Sequence, residues 1–156
     1  MQKKTYLCAI IFNLMTIQEY IAAHKARFME EWASLIRIPS VSCQEEHKAD
    51  MTRCAERWKE LLLEAGCQKA EVLPSKGNPF VYGEYRVEDA PTVLVYAHYD
   101  VMPVEPVEQW KSDPWEPEIR DGRLYARGAD DDKGQAMIQA KAFEYMAKTG
   151  QLNCNV

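Results

Sequence analysis

The feature that most restricts how this chain can fold is a nearly continuous apolar run at residues 92–97, TVLVYA. Side chains alternate between the two faces of a strand, so apolar residues at successive positions require cover on both faces. The run therefore predicts a central strand with helices packed on each side of its sheet. Residues 70–73 and 80–85 are also strand-like, and residues 152–156 resemble the start of a further strand.

Helical patterns precede and follow these strands. Apolar residues in 17–36 recur mostly at intervals of three and four, which predicts an amphipathic helix that ends before Pro39. A second helix is predicted from about residue 45 to 65, with Gly66 as its stop, and a third opens at the acids 130–132 and runs to about Lys148. Two helices before the sheet and one after it predict an α/β domain.

The N-terminal residues need a separate interpretation. Two lysines precede the apolar run 6–12, as in a signal peptide, but the run is too short to span a bilayer and no small-residue cleavage site follows. Met15 directly precedes Thr16–Glu19, which has the spacing of a capping box. We interpret residues 1–14 as an extension from a start codon assigned too early, with an export signal as the alternative, and 15–156 as the folded domain.

Charge and cysteine content exclude some classes of function. Lys and Arg number 19 against 24 Asp and Glu, the net charge is -5, and no basic run exceeds two residues, which argues against a nucleic-acid partner. The five cysteines are widely spaced and form no C-x-x-C pair. We interpret them as reduced thiols of a cytoplasmic protein without a membrane partner, and assign none as ligand or nucleophile. Cys54 falls on the apolar face of the second predicted helix and is expected to be a small buried hydrophobic residue.

The first motif whose side chains could bind a metal ion is His98-Tyr99-Asp100, which follows the apolar run. Side chains two apart on a strand point the same way, so His98 and Asp100 could face one cavity. The imidazole would then bind a metal ion through one nitrogen while Asp100 accepts a hydrogen bond from the other. The triplet alone is weak evidence, and a surface or structural histidine is the alternative.

The second motif is the run of three acids, Asp130-Asp131-Asp132, at the predicted start of the third helix. Acids in a first helical turn stabilise the helix dipole, and an N-cap Asp is ordinary. Three adjacent carboxylates nevertheless repel one another unless a cation intervenes, and a carboxylate can bridge two divalent ions. Metal binding and helix capping are equally supported by this run alone.

Together the two motifs resemble a family of two-metal peptidases that includes carnosinases, carboxypeptidase G, aminoacylase and succinyl-diaminopimelate desuccinylase. The resemblance covers about residues 17–156 and rests on four segments: R-I-P-S-V-S at 37–42, V-L-V-Y-A-H-Y-D-V at 93–101, Trp110 with Asp113-Pro114-Trp115, and D-G-R-L-Y-A-R-G with D-D-K-G within 121–134. The two-tryptophan loop and the D-D-K-G form are similar to the dipeptidase and carnosinase branch. The resemblance implies a partial zinc-peptidase-like three-layer α/β domain, with a central mixed sheet and helices on both faces.

The resemblance also implies roles for individual residues. His98 would bind one metal ion, Asp131 would bridge two ions, and Asp100 would serve catalysis by orienting His98. Asp131 is chosen because the bridging acid of the family stands two residues before the Lys-Gly pair. Asp132 is then expected to cap the helix, and Asp130 receives no role. The implied cofactors are two divalent metal ions, with zinc favoured and manganese or cobalt as alternatives.

The implied activity is metal-dependent hydrolysis of a dipeptide, an N-acyl amino acid or another small amide by a full-length homodimer. In the family, the general base and the remaining ligands lie in segments that this sequence does not contain. Residues 15–156 are thus expected to be the N-terminal part of the catalytic domain, inactive alone. The alternative is a non-catalytic metal-binding or regulatory remnant of the same fold. His24 and His47, which lie in or beside predicted helices, are interpreted as solvated or structural.

Overall fold

A computed structural model describes residues 15–156, so the predicted N-terminal extension, residues 1–14, lies outside the described part. Three helices and two small sheets alternate along the chain. The helices are α1 (Ile17–Ile36), α2 (Lys48–Ala65) and α3 (Lys133–Lys148), with short 3-10 turns at Glu45–His47 and Val107–Gln109; the strands are β1 (Lys69–Leu73), β2 (Phe80–Glu84), β3 (Glu118–Arg120) and β4 (Arg123–Tyr125).

Local sequence signals explain the helix ends. The Thr16 hydroxyl accepts from the Glu19 N–H while the Glu19 carboxylate accepts from the Thr16 N–H, which completes the predicted capping box. The bounds predicted for α1 are confirmed. Gly66 ends α2 in the left-handed conformation, with φ of 119°, as predicted. Residues 45–47 form a 3-10 turn before α2 instead of its first turn.

The hydrophobic core lies where the three helices meet. Cys54 is fully buried there, as its place on the apolar face of α2 predicts, and no disulfide joins the four cysteines of the described residues. The buried cluster comprises Leu35, Ile38, Cys54, Trp58, Leu61, Ala136, Met137 and Ala140. No helix within residues 15–156 is both long and apolar enough to cross a membrane.

Each sheet has two antiparallel strands. β1 pairs with β2 from Lys69 opposite Glu84 to Leu73 opposite Phe80. β3 and β4 form a hairpin around Asp121-Gly122, where φ is 49° and 75°. Both angles lie in the left-handed region that tight hairpin turns require, and Asp-Gly is a favoured pair at such turns.

The predicted central strand at 92–97 belongs to neither sheet. Only Thr92 forms a bridge, parallel to Asn155, and the side chains of Leu94 and Tyr96 are 90% and 83% exposed. A strand requires a hydrogen-bonded neighbour, and within residues 15–156 the run has one only at its start, where the Val93 N–H donates to the Asn155 carbonyl at 2.8 Å. The predicted strand at 152–156 is likewise reduced to a bridge at Asn155. The α/β class is confirmed, whereas the described residues form two small sheets rather than one central sheet.

A buried ionic network joins α1 to α3. Glu144 is 1% exposed, and its carboxylate accepts hydrogen bonds from the Tyr20 hydroxyl at 2.9 Å and the Lys141 ammonium at 2.7 Å. Arg27 contacts Glu144 and also donates to the Glu31 carboxylate at 2.7 Å. Both buried carboxylates therefore have cationic partners, as charges removed from water require.

Glu144 should make the fold sensitive to acid. Burial raises the pKa of Glu144, but hydrogen bonds from Arg27, Lys141 and Tyr20 outweigh that effect and lower the pKa from 4.5 to about 2. A carboxyl group whose pKa is lower in the folded state stabilises the fold above its unfolded pKa. That stabilisation, about 3 kcal/mol, is lost as the pH falls from about 4.5 to about 2.

Glu144→Gln is therefore expected to destabilise the chain by about 3 kcal/mol at pH 7 and to flatten the pH dependence of stability between pH 4.5 and 2. Urea unfolding across this range measures the effect. The exposed carboxyl of Glu46 provides the control, because Glu46→Gln should follow the parent profile. Parallel profiles for the parent and Glu144→Gln would contradict the prediction.

Candidate metal site

The two motifs that the sequence singles out lie next to each other in the fold. His98 Nε2 lies 3.0 Å from Asp131 Oδ1, and His98 Nδ1 lies 3.0 Å from Asp100 Oδ1. Each ring nitrogen of His98 thus faces a different carboxylate. The structure brings together all three residues that the sequence analysis assigned to the site.

Asp132 contributes in a way that the sequence did not predict. It occupies the N-cap position of α3, but its side chain makes no capping hydrogen bond. Its backbone, at φ -120° and ψ 6°, is outside the extended region from which an N-cap side chain reaches the first helical amides. Asp132 Oδ2 instead accepts from the backbone N–H of His98 at 3.0 Å. Asp132 is therefore at the predicted cap position, but its side chain does not cap the helix.

Lys133 anchors the acidic loop to α1. Its side chain is completely buried, and its ammonium donates to the carbonyls of Leu35 and Ile38 at 2.8 Å each. Burial lowers the pKa of Lys133. A lysine at a helix start is normally solvated, so sequence reasoning missed this role. The one sequence feature that could have indicated this role is the position of Lys133 in the D-D-K-G motif, directly after Asp131 and Asp132.

Two glycines allow the acidic loop to pack closely. Gly128 has φ of 76°, and a Cβ there would lie 2.7 Å from Val101 Cγ1, on the residue after Asp100. A Cβ on Gly134 would lie 2.3 Å from the Ala129 carbonyl oxygen. Since real Cβ atoms do not approach other atoms so closely, the observed path of the loop requires glycine at both positions.

The candidate ligands are accessible to solvent. The side chains of His98 and Asp131 are 43% and 79% exposed. Burial lowers the pKa of His98, but hydrogen bonds to Asp100 and Asp131 outweigh it, and the pKa is raised above its ordinary value. A cation from solution can therefore reach both side chains.

The geometry fits part of a metal site. A nitrogen and a carboxylate oxygen 3.0 Å apart can both bind one zinc ion, because Zn–N and Zn–O distances are about 2.0 to 2.2 Å. Within residues 15–156, no group of three or more His, Cys, Asp or Glu side chains is placed to hold a metal ion. The described residues thus offer two candidate ligands, His98 and Asp131, for such an ion.

The other two histidines are remote from this pair. His24 packs edge-on against the Tyr20 ring, with the ring centroids 4.4 Å apart. His47 Nδ1 lies 2.8 Å from the carboxylate of Asp50 at the start of α2. Neither His24 nor His47 contacts His98.

The Trp110 side chain helps to order the proline-rich loop that follows Asp100. The Trp110 indole N–H donates to the Val104 carbonyl at 2.8 Å, and the Arg127 guanidinium lies 5.1 Å from the Trp110 ring centre. These residues line an open depression that extends to Asp130. The loop is therefore packed against the segment that leads into the three acids.

Sequence comparisons point to one family. The profile of peptidase family M20/M25/M40 matches residues 94–156. A cysteinylglycine-S-conjugate dipeptidase of Corynebacterium striatum is 33% identical over 132 residues, which are 83% of this chain and 29% of the relative. A succinyl-diaminopimelate desuccinylase of Ralstonia pickettii is 67% identical over 58 residues, which are 36% of this chain and 15% of the relative.

Solved structures agree with the sequence matches. An M20 family metallo-carboxypeptidase of Sulfolobus solfataricus matches with a TM-score of 0.77 and 35% identity, covering 83% of this chain and 29% of its own. Human carnosine dipeptidase 1 matches with a TM-score of 0.79 and 25% identity, covering 88% of this chain and 32% of its own.

The fold and the paired motifs define a metallopeptidase-type α/β domain, present in part. The chain belongs to the M20/M25/M40 peptidase family, as its four motifs predicted. It spans less than a third of the length of the dipeptidase and of the two solved structures named above.

Proposed function

We propose that residues 15–156 form the N-terminal part of the catalytic domain of a metal-dependent dipeptidase. In this proposal His98 binds one metal ion and Asp131 bridges two. The observation that carries it is the contact of 3.0 Å between His98 Nε2 and Asp131 Oδ1, with Asp100 on the opposite ring nitrogen. This arrangement unites a neutral nitrogen ligand, a carboxylate ligand and a carboxylate that orients the imidazole.

The proposed roles follow from the contacts of each side chain. Asp100 accepts the Nδ1 proton of His98, which leaves the Nε2 lone pair free to bind a metal ion. Asp132 holds the backbone of His98, and Asp131 directs a carboxylate with two oxygens into the same space. When bound, two zinc ions, or manganese or cobalt in their place, supply a water of lowered pKa and polarise the scissile carbonyl.

The proposed substrate is a dipeptide, and N-acyl amino acids are the second candidate class of substrate. The similarity to the dipeptidase extends over 83% of the chain, whereas similarities to desuccinylases cover between 26% and 52% of it. Both names describe proteins that act on small molecules with an amide or peptide bond. Dipeptides are favoured because the match to the dipeptidase covers more of the chain.

The general base and the remaining ligands are proposed to come from the rest of a longer protein. The lack of a third ligand within the described residues would also suit a metal-binding remnant without catalysis, which is the second candidate. The two candidates differ in one measurable respect. A whole protein that binds zinc through His98 and Asp131 but hydrolyses neither dipeptides nor N-acyl amino acids would support the remnant.

The zinc-loaded whole protein is expected to hydrolyse cysteinylglycine, and a chelator should abolish the activity. His98→Ala and Asp131→Ala should each lower kcat/KM by about 1000-fold or more, because a catalytic metal ion contributes several kcal/mol to transition-state stabilisation. Release of free glycine measures the rate. His24→Ala, which is remote from the site, is the control and should retain activity. Undiminished hydrolysis by His98→Ala would contradict the proposed function.

A further inference from the structure

The segment 37–42, R-I-P-S-V-S, has no role in the chemistry described so far. It runs beside the segment that carries His98 and Asp100. The Val101 N–H donates to the Ser40 carbonyl at 2.9 Å, and Val41 forms a parallel bridge with Val101. The buried Ser40 hydroxyl also donates to the Tyr99 carbonyl at 2.7 Å. These bonds fix the register of the two segments.

That register places Ser42 against Asp100. The Ser42 hydroxyl donates to Asp100 Oδ2 at 2.6 Å, while Asp100 Oδ1 accepts from His98 Nδ1 at 3.0 Å. Each oxygen of the Asp100 carboxylate therefore has its own partner. The carboxylate cannot turn without losing one of these two bonds, so the Ser42 hydroxyl restricts the orientation of Asp100 and, through it, of the imidazole.

The same segment is tied to the second motif. Lys133 donates to the carbonyl of Ile38, two residues before Ser40, and follows the Asp131-Asp132 pair directly. Residues 37–42 thus contact both halves of the candidate site, and their position bears on how His98 faces Asp131.

We propose that Ser42 is a positioning residue that acts through Asp100 to hold His98 Nε2 toward Asp131. This inference rests on the proposed function, because the orientation of His98 matters to chemistry only if His98 binds a metal ion. Ser42 lies at the surface, unlike the buried Ser40. Removal of the Ser42 hydroxyl leaves no buried polar group unpaired, so a positioning effect can be separated from an effect on folding.

The test uses the purified 156-residue chain as parent, with Ser42→Ala, Ser42→Thr, Asp100→Ala and the double variant of Ser42→Ala with Asp100→Ala. Zinc affinity is measured by calorimetry, the state of the His98 ring by its ¹⁵N resonances, and folding by the melting temperature. We expect Ser42→Ala to weaken zinc binding about tenfold and to shift the ring resonances without changing the melting temperature. Ser42→Thr keeps a hydroxyl and should behave like the parent.

The double variant shows whether Ser42 acts through Asp100. If it does, Ser42→Ala adds no further loss of zinc affinity in the Asp100→Ala background. Unchanged zinc affinity and ring resonances in Ser42→Ala would overturn the proposal, and so would an undiminished effect in the absence of Asp100. If the folded parent binds no zinc, the metal assignment fails separately. The His98 ring resonances of Ser42→Ala then decide whether Ser42 orients the imidazole.

Discussion

Replacement of either His98 or Asp131 by alanine is expected to weaken zinc binding to the chain by at least about 100-fold. The parent should bind zinc in the micromolar range, because the two proposed ligand atoms already lie 3.0 Å apart. Loss of an outer residue that merely orients a ligand commonly costs 10- to 100-fold in metal affinity. Loss of a direct ligand should therefore cost at least the upper end of that range.

Calorimetric titration of zinc into the parent and the two variants measures this effect. Asp130→Ala is a matched control, since Asp130 is a neighbouring acid on the same loop for which no role is proposed. Its affinity should stay within a few-fold of the parent. Binding that survives in His98→Ala or in Asp131→Ala would show that the ion lies elsewhere. A folded parent that binds no zinc would contradict a partial site in this chain.

Gly134→Ala is expected to destabilise the fold by about 3 kcal/mol or more, in the upper range for a single overpacking substitution. The new Cβ would lie 2.3 Å from the Ala129 carbonyl oxygen and 3.3 Å from Trp32 Cζ2. A backbone oxygen cannot swing aside as a flexible side chain can, so either the acidic loop or the first turn of α3 must shift. Such a shift separates Asp131 from His98, and zinc affinity should fall with stability.

Urea unfolding gives the change in stability, and zinc titration reports the shift of the site. Gly77→Ala is the control, because the nearest atom to its Cβ would be the Ser75 hydroxyl oxygen at 4.0 Å. The stability of Gly77→Ala should equal that of the parent or exceed it slightly, because alanine makes the unfolded chain less flexible. A Gly134→Ala chain that unfolds at the same urea concentration as the parent would show that the loop tolerates the added methyl group.

The sequence by itself determined the features that depend on neighbouring residues. The capping box at Thr16 and Glu19 set the start of α1, and Gly66 set the end of α2, because both signals act within one helical turn. The apolar periodicity of α2 predicted the burial of Cys54. The pairing of His98 with Asp100 was also predictable, since the two residues are only two positions apart.

Only the tertiary structure decided which distant segments meet. The run 92–97 has every local mark of a strand, yet its pairing depends on a neighbour that residues 15–156 supply only at Thr92. Three hydrogen bonds of the candidate site join residues that are far apart in the sequence. They run from Ser42 to Asp100, from the His98 amide to Asp132, and from the buried Lys133 to Leu35. Composition and periodicity describe each segment alone, whereas the candidate site is made of contacts between segments.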